Sequence, residues 1–171
     1  MSLNFIPDYR FDTFDLASAE FLTGLGVKGV ILDIDNTLEP YEHPDPGEHV
    51  VAWFDSLKKL GIKTAIVSNN NRERVERFNK NLKMPIYFKA GKPFKKNILL
   101  AMNDIGSDKS NTIFMGDQVF TDVWGAHNAG IKAILVPPIN DKRDLFTKFK
   151  RLLEKPFLKR YEKRKAKESK L

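Results

Sequence analysis

The chain of 171 residues has no cysteine, only three histidines and no long apolar run. Without cysteine there is no disulfide scaffold, no Cys-ligated zinc site and no thiol chemistry. The longest apolar stretches, Gly29–Leu32 and Ile131–Pro138, fall far short of the ~20 residues a membrane-spanning helix needs. The opening MSLNFIPDYRFDTFDLASAEF lacks a basic stretch followed by an apolar one and does not read as a signal peptide. The expected setting is cytoplasmic, with peripheral contact at the inner face of a membrane left open. A hydrophobic fraction of 42% is too high for a disordered chain and sufficient for a core. The length suits one domain.

Acidic charge is scarce only at one end. Residues 142–171 hold 13 Lys and Arg against 4 Asp and Glu, and the preceding residues hold 16 against 18. The net charge of +7 therefore describes a mildly acidic body with a basic end. A nucleic-acid reading drawn from the overall charge would concern that end alone. The division expected is a single domain over 1–155, including a short segment 1–26, followed by a basic tail over 156–171.

What is present is an alternation of strands and helices. Thr13 or Asp15 can cap a short helix through Phe21. Val27–Asp33 is an apolar, β-branched run suited to a buried parallel strand. Val50, Trp53, Phe54, Leu57 and Leu60 follow helical spacing up to Gly61. Further strands are predicted at Ile62–Val67, Pro85–Phe88, Thr112–Met115 and Lys132–Val136. Helices are predicted at Arg72–Leu82, Phe94–Ile105 and Asp122–Ala129. Five strands alternating with helices predict an α/β fold, a parallel five-stranded sheet with helices on both faces. In such sheets the site lies at the carboxyl ends of the strands.

Those ends carry the reactive side chains. The first strand runs into Asp33-Ile34-Asp35-Asn36-Thr37, the second into Ser68-Asn69-Asn70, the third is followed by Gly91-Lys92-Pro93, and the fourth by Gly116-Asp117, with Asp122 five residues on. Each fragment alone is ordinary: Ser68 suits a turn, Lys92 a solvated surface, Asp122 a helix cap. All four in order, each at a strand end, point to phosphoryl transfer.

In these four motifs and their order, Val27 to about Val136 resembles the haloacid dehalogenase (HAD) phosphatase superfamily. The DIDNTL and GDQ-x-x-TD strings, the PDY segment and the absence of a cap are similar to the YqeG family, small HAD-IIIA phosphatases related to mitochondrial phosphatidylglycerophosphate phosphatase. The resemblance implies a HAD-like fold and hydrolysis of a phosphomonoester through an aspartyl-phosphate. Asp33 would be the nucleophile, since a carboxylate needs no base to attack phosphorus, and Asp35 the general acid and then base. Mg²⁺ would be held by Asp33, Asp117 and the backbone carbonyl of Asp35, with Asp122 acting through water or bracing these ligands. Lys92, Ser68, Asn69 and Thr37 would bind phosphate or orient the loop.

The segments where HAD relatives insert a cap, Glu39–Gly61 and Asn70–Gly91, are too short for a separate domain. The site is expected to be open and to accept a bulky substrate. The resemblance favours phosphatidylglycerophosphate in phospholipid synthesis. An enzyme acting on nucleotide or nucleic-acid phosphate, or an RNA- or ribosome-associated binding module, are the alternatives. Leu145, Phe149, Leu152 and Phe157 give an apolar stripe among Lys148, Lys150, Arg151, Lys159 and Arg160, which suits either a docked helix or an anionic surface, lipid or nucleic acid. Pro156 is expected to kink or stop this helix. His43, His49 and His127 read as surface or packing residues, with substrate contact by His43 as the alternative. Trp53, Phe54 and Trp124 read as packing residues.

Overall fold

The computed structural model describes residues 4–140 and 145–168, with the side chains of the last helix from Arg151 onward. Six parallel strands form one sheet in the order β1-β6-β5-β2-β3-β4. They are β1 (Tyr9–Arg10), β2 (Gly29–Leu32), β3 (Lys63–Val67), β4 (Ile86–Tyr87), β5 (Thr112–Gly116) and β6 (Lys132–Leu135). The sequence predicts five. The sixth, β1, is a two-residue edge strand paired with Ile134 and Leu135, too short and too polar to leave a periodic signal.

The central strands obey the two-residue alternation of a sheet buried on both faces. Val30, Leu32, Ile66, Ile113 and Met115 pack on one side, with Leu22 of α1 (Ala19–Gly24), Trp53 and Leu57 of α2 (Glu48–Lys59), and Val75 and Phe78 of α3 (Arg72–Asn79). Ile31, Ala65, Val67 and Phe114 pack on the other, with Ile98 and Ala101 of α4 (Lys96–Asp104) and Ala126 and Ala129 of α5 (Trp124–Ala129). Trp53 and Trp124 serve packing: Trp53 Nε1 donates to the Ala17 carbonyl at 3.1 Å, and the Trp124 ring lies 5.2 Å from that of Phe5.

Three local expectations change. Ser18, not Thr13 or Asp15, caps the first helix, its hydroxyl accepting from Phe21 N at 3.2 Å. Pro156 lies inside the helix α6 (Leu145–Glu168) and does not end it. The docked face of α6 keeps Phe157 of the predicted stripe and not Leu152. Leu152 and Leu153 are exposed, whereas Glu154 and Tyr161 are buried and Phe157 packs against Phe5 and Phe120. The side chains of Leu145, Lys148, Phe149 and Lys150 lie outside the described residues.

The N-terminal edge is tied down by charge. His127 contacts the Asn4 carbonyl at 2.7 Å and Asp8 Oδ2 at 3.0 Å, and Asp8 also accepts from Ala133 N at 2.8 Å. Burial disfavours the charged imidazole, but the Asp8 and Asn4 hydrogen bonds outweigh it and raise the pKa of His127 above 6.5. Burial of Asp8 is likewise outweighed, chiefly by His127, and its pKa falls below 3.8. The histidine's contribution is complete below about pH 6.5 and disappears as pH rises through the raised folded value. The aspartate's is complete above about pH 4 and disappears on acidification. The wild type should therefore exceed His127→Gln in thermal stability more at pH 5.5 than at pH 8, by less than about 1 kcal/mol. Equal differences at the two pH values in melting experiments would remove the ion pair from this account.

Candidate active site

The strand order reverses between β2 and β5, the place in such a sheet where the loops after the strands run to opposite sides and ligands bind. Asp33 extends the ladder through its N–H to the Met115 carbonyl at 3.0 Å. Beyond it the chain coils tightly: Thr37 N and Leu38 N both reach the Ile34 carbonyl, and Asn36 adopts a positive φ of 61°. Asn tolerates this left-handed conformation far better than a branched residue does. Ile34 is fully buried, so Asp33 and Asp35 flank it.

All eight predicted site residues except Asn69 are buried, and all gather at this edge. Asp33, Asp117 and Asp122 each place a carboxylate oxygen within 4.8 Å of the others. Lys92 Nζ bridges two of them, at 2.7 Å from Asp122 Oδ1 and 3.2 Å from Asp33 Oδ2. Asp33 Oδ1 is buried without a hydrogen-bond partner. The backbone is matched to this crowding. A Cβ on Gly116 would overlap the Asp122 carboxylate. The Asp122 carboxylate in turn accepts from Gln118 N at 3.0 Å, fastening the π-helical turn Val119–Val123 that delivers it.

Three buried carboxylates so close together resist simultaneous ionisation. Burial and the neighbouring Asp122 charge push the Asp117 carboxyl up to about 7, against the pull of Arg151. Burial also raises Asp122, with Lys92 opposing. Lys92 itself is held above its ordinary value, because Asp122 and Asp33 outweigh the cost of burying it. Lys92 and Arg151 supply two positive charges to three carboxylates. The set is all hard oxygen, it includes an unpartnered oxygen, and it retains an excess negative charge when ionised. These features fit a divalent cation such as Mg²⁺.

The other predicted residues take more specific places. Thr37 Oγ1 donates to Asp117 Oδ1 at 3.3 Å, so it braces Asp117. Ser68 Oγ accepts from Asn70 N at 3.2 Å, fixing the turn after β3. The Asn69 amide grips the backbone of Lys92 from both sides, at 3.1 Å to its carbonyl and 2.8 Å from its N–H. His43 is exposed and faces Glu39 at 3.4 Å.

Three polar residues not assigned to the site from the sequence complete it. Asn70 Nδ2 donates to Asp35 Oδ2 at 2.8 Å, and Arg74 Nε to Asp35 Oδ1 at 3.0 Å. Arg151, from α6, donates to both the carboxylate and the carbonyl of Asp117 and lies 3.1 Å from Glu154. Arg74 had a signal: it precedes Val75 and lies four residues before Phe78, on the inward stripe of α3.

Comparison with known proteins agrees with this geometry. Residues 31–136 match the haloacid dehalogenase-like hydrolase family. The chain is 36% identical over 154 residues to the probable phosphatase YqeG of Bacillus subtilis strain 168, covering 90% of each chain. Among solved structures, the cobalt-bound deoxy-D-mannose-octulosonate 8-phosphate phosphatase of Haemophilus influenzae aligns with a TM-score of 0.53 at 16% identity, over 80% of this chain and 90% of that one. The 3-deoxy-D-manno-octulosonate 8-phosphate phosphatase of Moraxella catarrhalis, in complex with magnesium, phosphate and the KDO molecule, aligns with a TM-score of 0.50 at 21% identity, over 67% of this chain and 71% of that one. These two likenesses show the fold. The chain belongs to the haloacid dehalogenase-like hydrolases and, within them, is a phosphatase of the YqeG family.

Proposed function

We propose that the chain is a Mg²⁺-dependent phosphomonoester hydrolase that works through an aspartyl-phosphate on Asp33, with phosphatidylglycerophosphate as its substrate. The observation that carries the mechanism is the unpartnered Asp33 Oδ1 in a buried cluster of carboxylates bridged by Lys92. Asp33 Oδ1 attacks phosphorus as the ester P–O bond breaks, and the departing alkoxide takes a proton from Asp35. Water then attacks the aspartyl-phosphate and gives its proton to Asp35, so Asp33 returns as phosphate leaves. Lys92, Ser68 and the backbone around Asn69 donate to the phosphoryl oxygens. A Mg²⁺ ion held by Asp33, Asp117 and the Asp35 carbonyl, with Asp122 in reach, would offset the negative charge on nucleophile and phosphoryl group.

Two surfaces support an amphiphilic substrate. Tyr41, Phe88, Phe94 and Ile139 are exposed apolar side chains, all on loops beyond the carboxyl ends of the strands. The Ile139 N–H donates to the Asn36 carbonyl at 3.1 Å, which puts it beside the catalytic loop. On α6, Lys155, Lys159, Arg160, Lys163 and Lys167 remain exposed, a basic face for peripheral contact with an anionic membrane. Among the described residues, no helix is long and apolar enough to cross one. The test is a Mg²⁺-containing panel of lipid, nucleotide and sugar phosphates. Phosphatidylglycerophosphate in anionic vesicles should give the highest kcat/KM. Turnover no better than that of a generic phosphomonoester would end the lipid assignment.

A further inference from the structure

Two of the three clustered carboxylates come from one short stretch that the sheet does not hold alone. Asp117 follows β5, and Asp122 is delivered by the π-helical turn Val119–Val123. Such turns are rare. Three residues of α6 meet this stretch in succession. Arg151 donates to the Asp117 carbonyl and to Asp117 Oδ2. Glu154 Oε1 accepts from Val119 N at 2.9 Å. The Phe157 ring stands edge-on to that of Phe120, with 5.9 Å between centroids. Positions 151, 154 and 157 fall close to one face of a helix. Arg151 and Glu154 also pair with each other at 3.1 Å, and their side chains are 15% and 6% exposed.

What the guanidinium binds distinguishes two roles. A cation standing in for the metal would bridge the clustered carboxylates, as Lys92 Nζ does between Asp33 and Asp122. Among the described residues, the ion pairs of Arg151 are with Asp117 and Glu154 alone. It takes one oxygen of the Asp117 carboxylate together with the main-chain carbonyl of the same residue, so it fixes side chain and backbone as a unit. Thr37 Oγ1 holds the other carboxylate oxygen at 3.3 Å. Each oxygen of a carboxylate keeps a second lone-pair site. Asp117 can therefore be held from both sides and still ligate an ion.

We infer that Arg151 is a positioning residue for the metal site, acting through Asp117, with Glu154 as its own brace. The helix α6 thereby belongs to the metal-binding apparatus. A ligand already oriented for an ion loses little freedom on binding it, and partners that orient metal ligands are worth about 10–100-fold in affinity. The charge of Arg151 works in the opposite direction, because a cation beside the ligand repels the ion. Glu154 offsets that charge at 3.1 Å, which leaves orientation as the larger effect. The inference rests on the Mg²⁺-dependent reading above and adds a residue from outside the strand ends to it.

The experiment titrates the full chain with Mg²⁺ by calorimetry, without substrate. Arg151→Met should bind the ion about tenfold or more weakly than the wild type. Arg151→Lys keeps the charge but cannot grip carbonyl and carboxylate as a fork, and it should recover only part of the affinity. Arg160→Met removes the same charge from the exposed side of α6 and should bind as the wild type does. With an activated aryl phosphate, the Mg²⁺ concentration giving half-maximal rate should rise for Arg151→Met in step with the dissociation constant. Unchanged affinity in Arg151→Met, with or without a lower melting temperature, assigns Arg151 to helix docking alone and overturns the inference. Tighter binding overturns it as well, since the guanidinium would then be a competitor of the ion. If Arg151→Met does not fold, Arg151→Lys decides: weaker binding than the wild type supports the inference, and equal binding overturns it. A wild type that binds no Mg²⁺ overturns the metal reading itself, and the inference falls with it.

Discussion

Asp33→Asn will abolish Mg²⁺-dependent release of phosphate from an activated aryl phosphate, lowering kcat by at least about 10⁴-fold, as loss of a nucleophile does elsewhere. The substitution is nearly isosteric, so packing around Ile34 is preserved. Its electrostatic effect on the folded protein is favourable. The Asp33 charge is one reason that Asp117 and Asp122 are pushed up, and its removal relieves both. Lys92 keeps its shorter bridge to Asp122, at 2.7 Å. Without metal, the variant should melt at or above the wild-type temperature while having no turnover. This split between stability and activity separates a lost nucleophile from a damaged fold. Substantial turnover by the Asn variant would rule out the aspartyl-phosphate.

Lys92→Met has the larger effect on stability. The lysine side chain is 1% exposed, as is that of its partner Asp122. Removing the ammonium leaves Asp122 as an uncompensated buried charge beside Asp33 and Asp117, with the Gln118 N–H as a remaining donor. Breaking a buried pair from one side costs about 3–5 kcal/mol. Urea unfolding at pH 7 in the presence of chelator should register a loss of that size. The double variant Lys92→Met/Asp122→Asn should regain part of it, because Asp122 is no longer a buried charge while Asp33 stays without its cation, and it should remain inactive. If the double variant is as unstable as the sum of the two single ones, the pair is not coupled and the lysine's role is packing alone.

The parts of the site that could be read from sequence are those attached to strand ends. Apolar runs such as Gly29–Leu32 and Thr112–Gly116 locate buried parallel strands, and a parallel sheet sends whatever follows them to one edge. Asp33, Asp35, Ser68, Lys92 and Asp117 were legible for that reason. Residues that enter from helices were not. Arg72 and Arg74 are two residues apart in the string RERVER, and one is exposed while the other is buried on Asp35. Charged residues of a helix look alike until the inward stripe is placed to within a residue. Arg151 was harder still. It sits in a lysine-rich segment whose predicted apolar stripe included the exposed Leu152 beside the packed Phe157, and α6 docks through Glu154, Phe157 and Tyr161. The strand β1 was missed because two residues cannot display a period.

The contact between Arg151 and Asp117 bears on how the protein is made. Synthesis proceeds from the N-terminus, so the strands bearing Asp33 and Asp117 leave the ribosome before α6 does. Until α6 arrives, the carboxylate cluster lacks one of its two cations, and the Val119 N–H lacks the Glu154 oxygen that receives it at 2.9 Å. A nascent chain at that stage has its catalytic edge laid out but electrostatically unfinished. A segment translated after the catalytic strands completes it, so chains released before α6 is made are expected to be both less stable and poorly active.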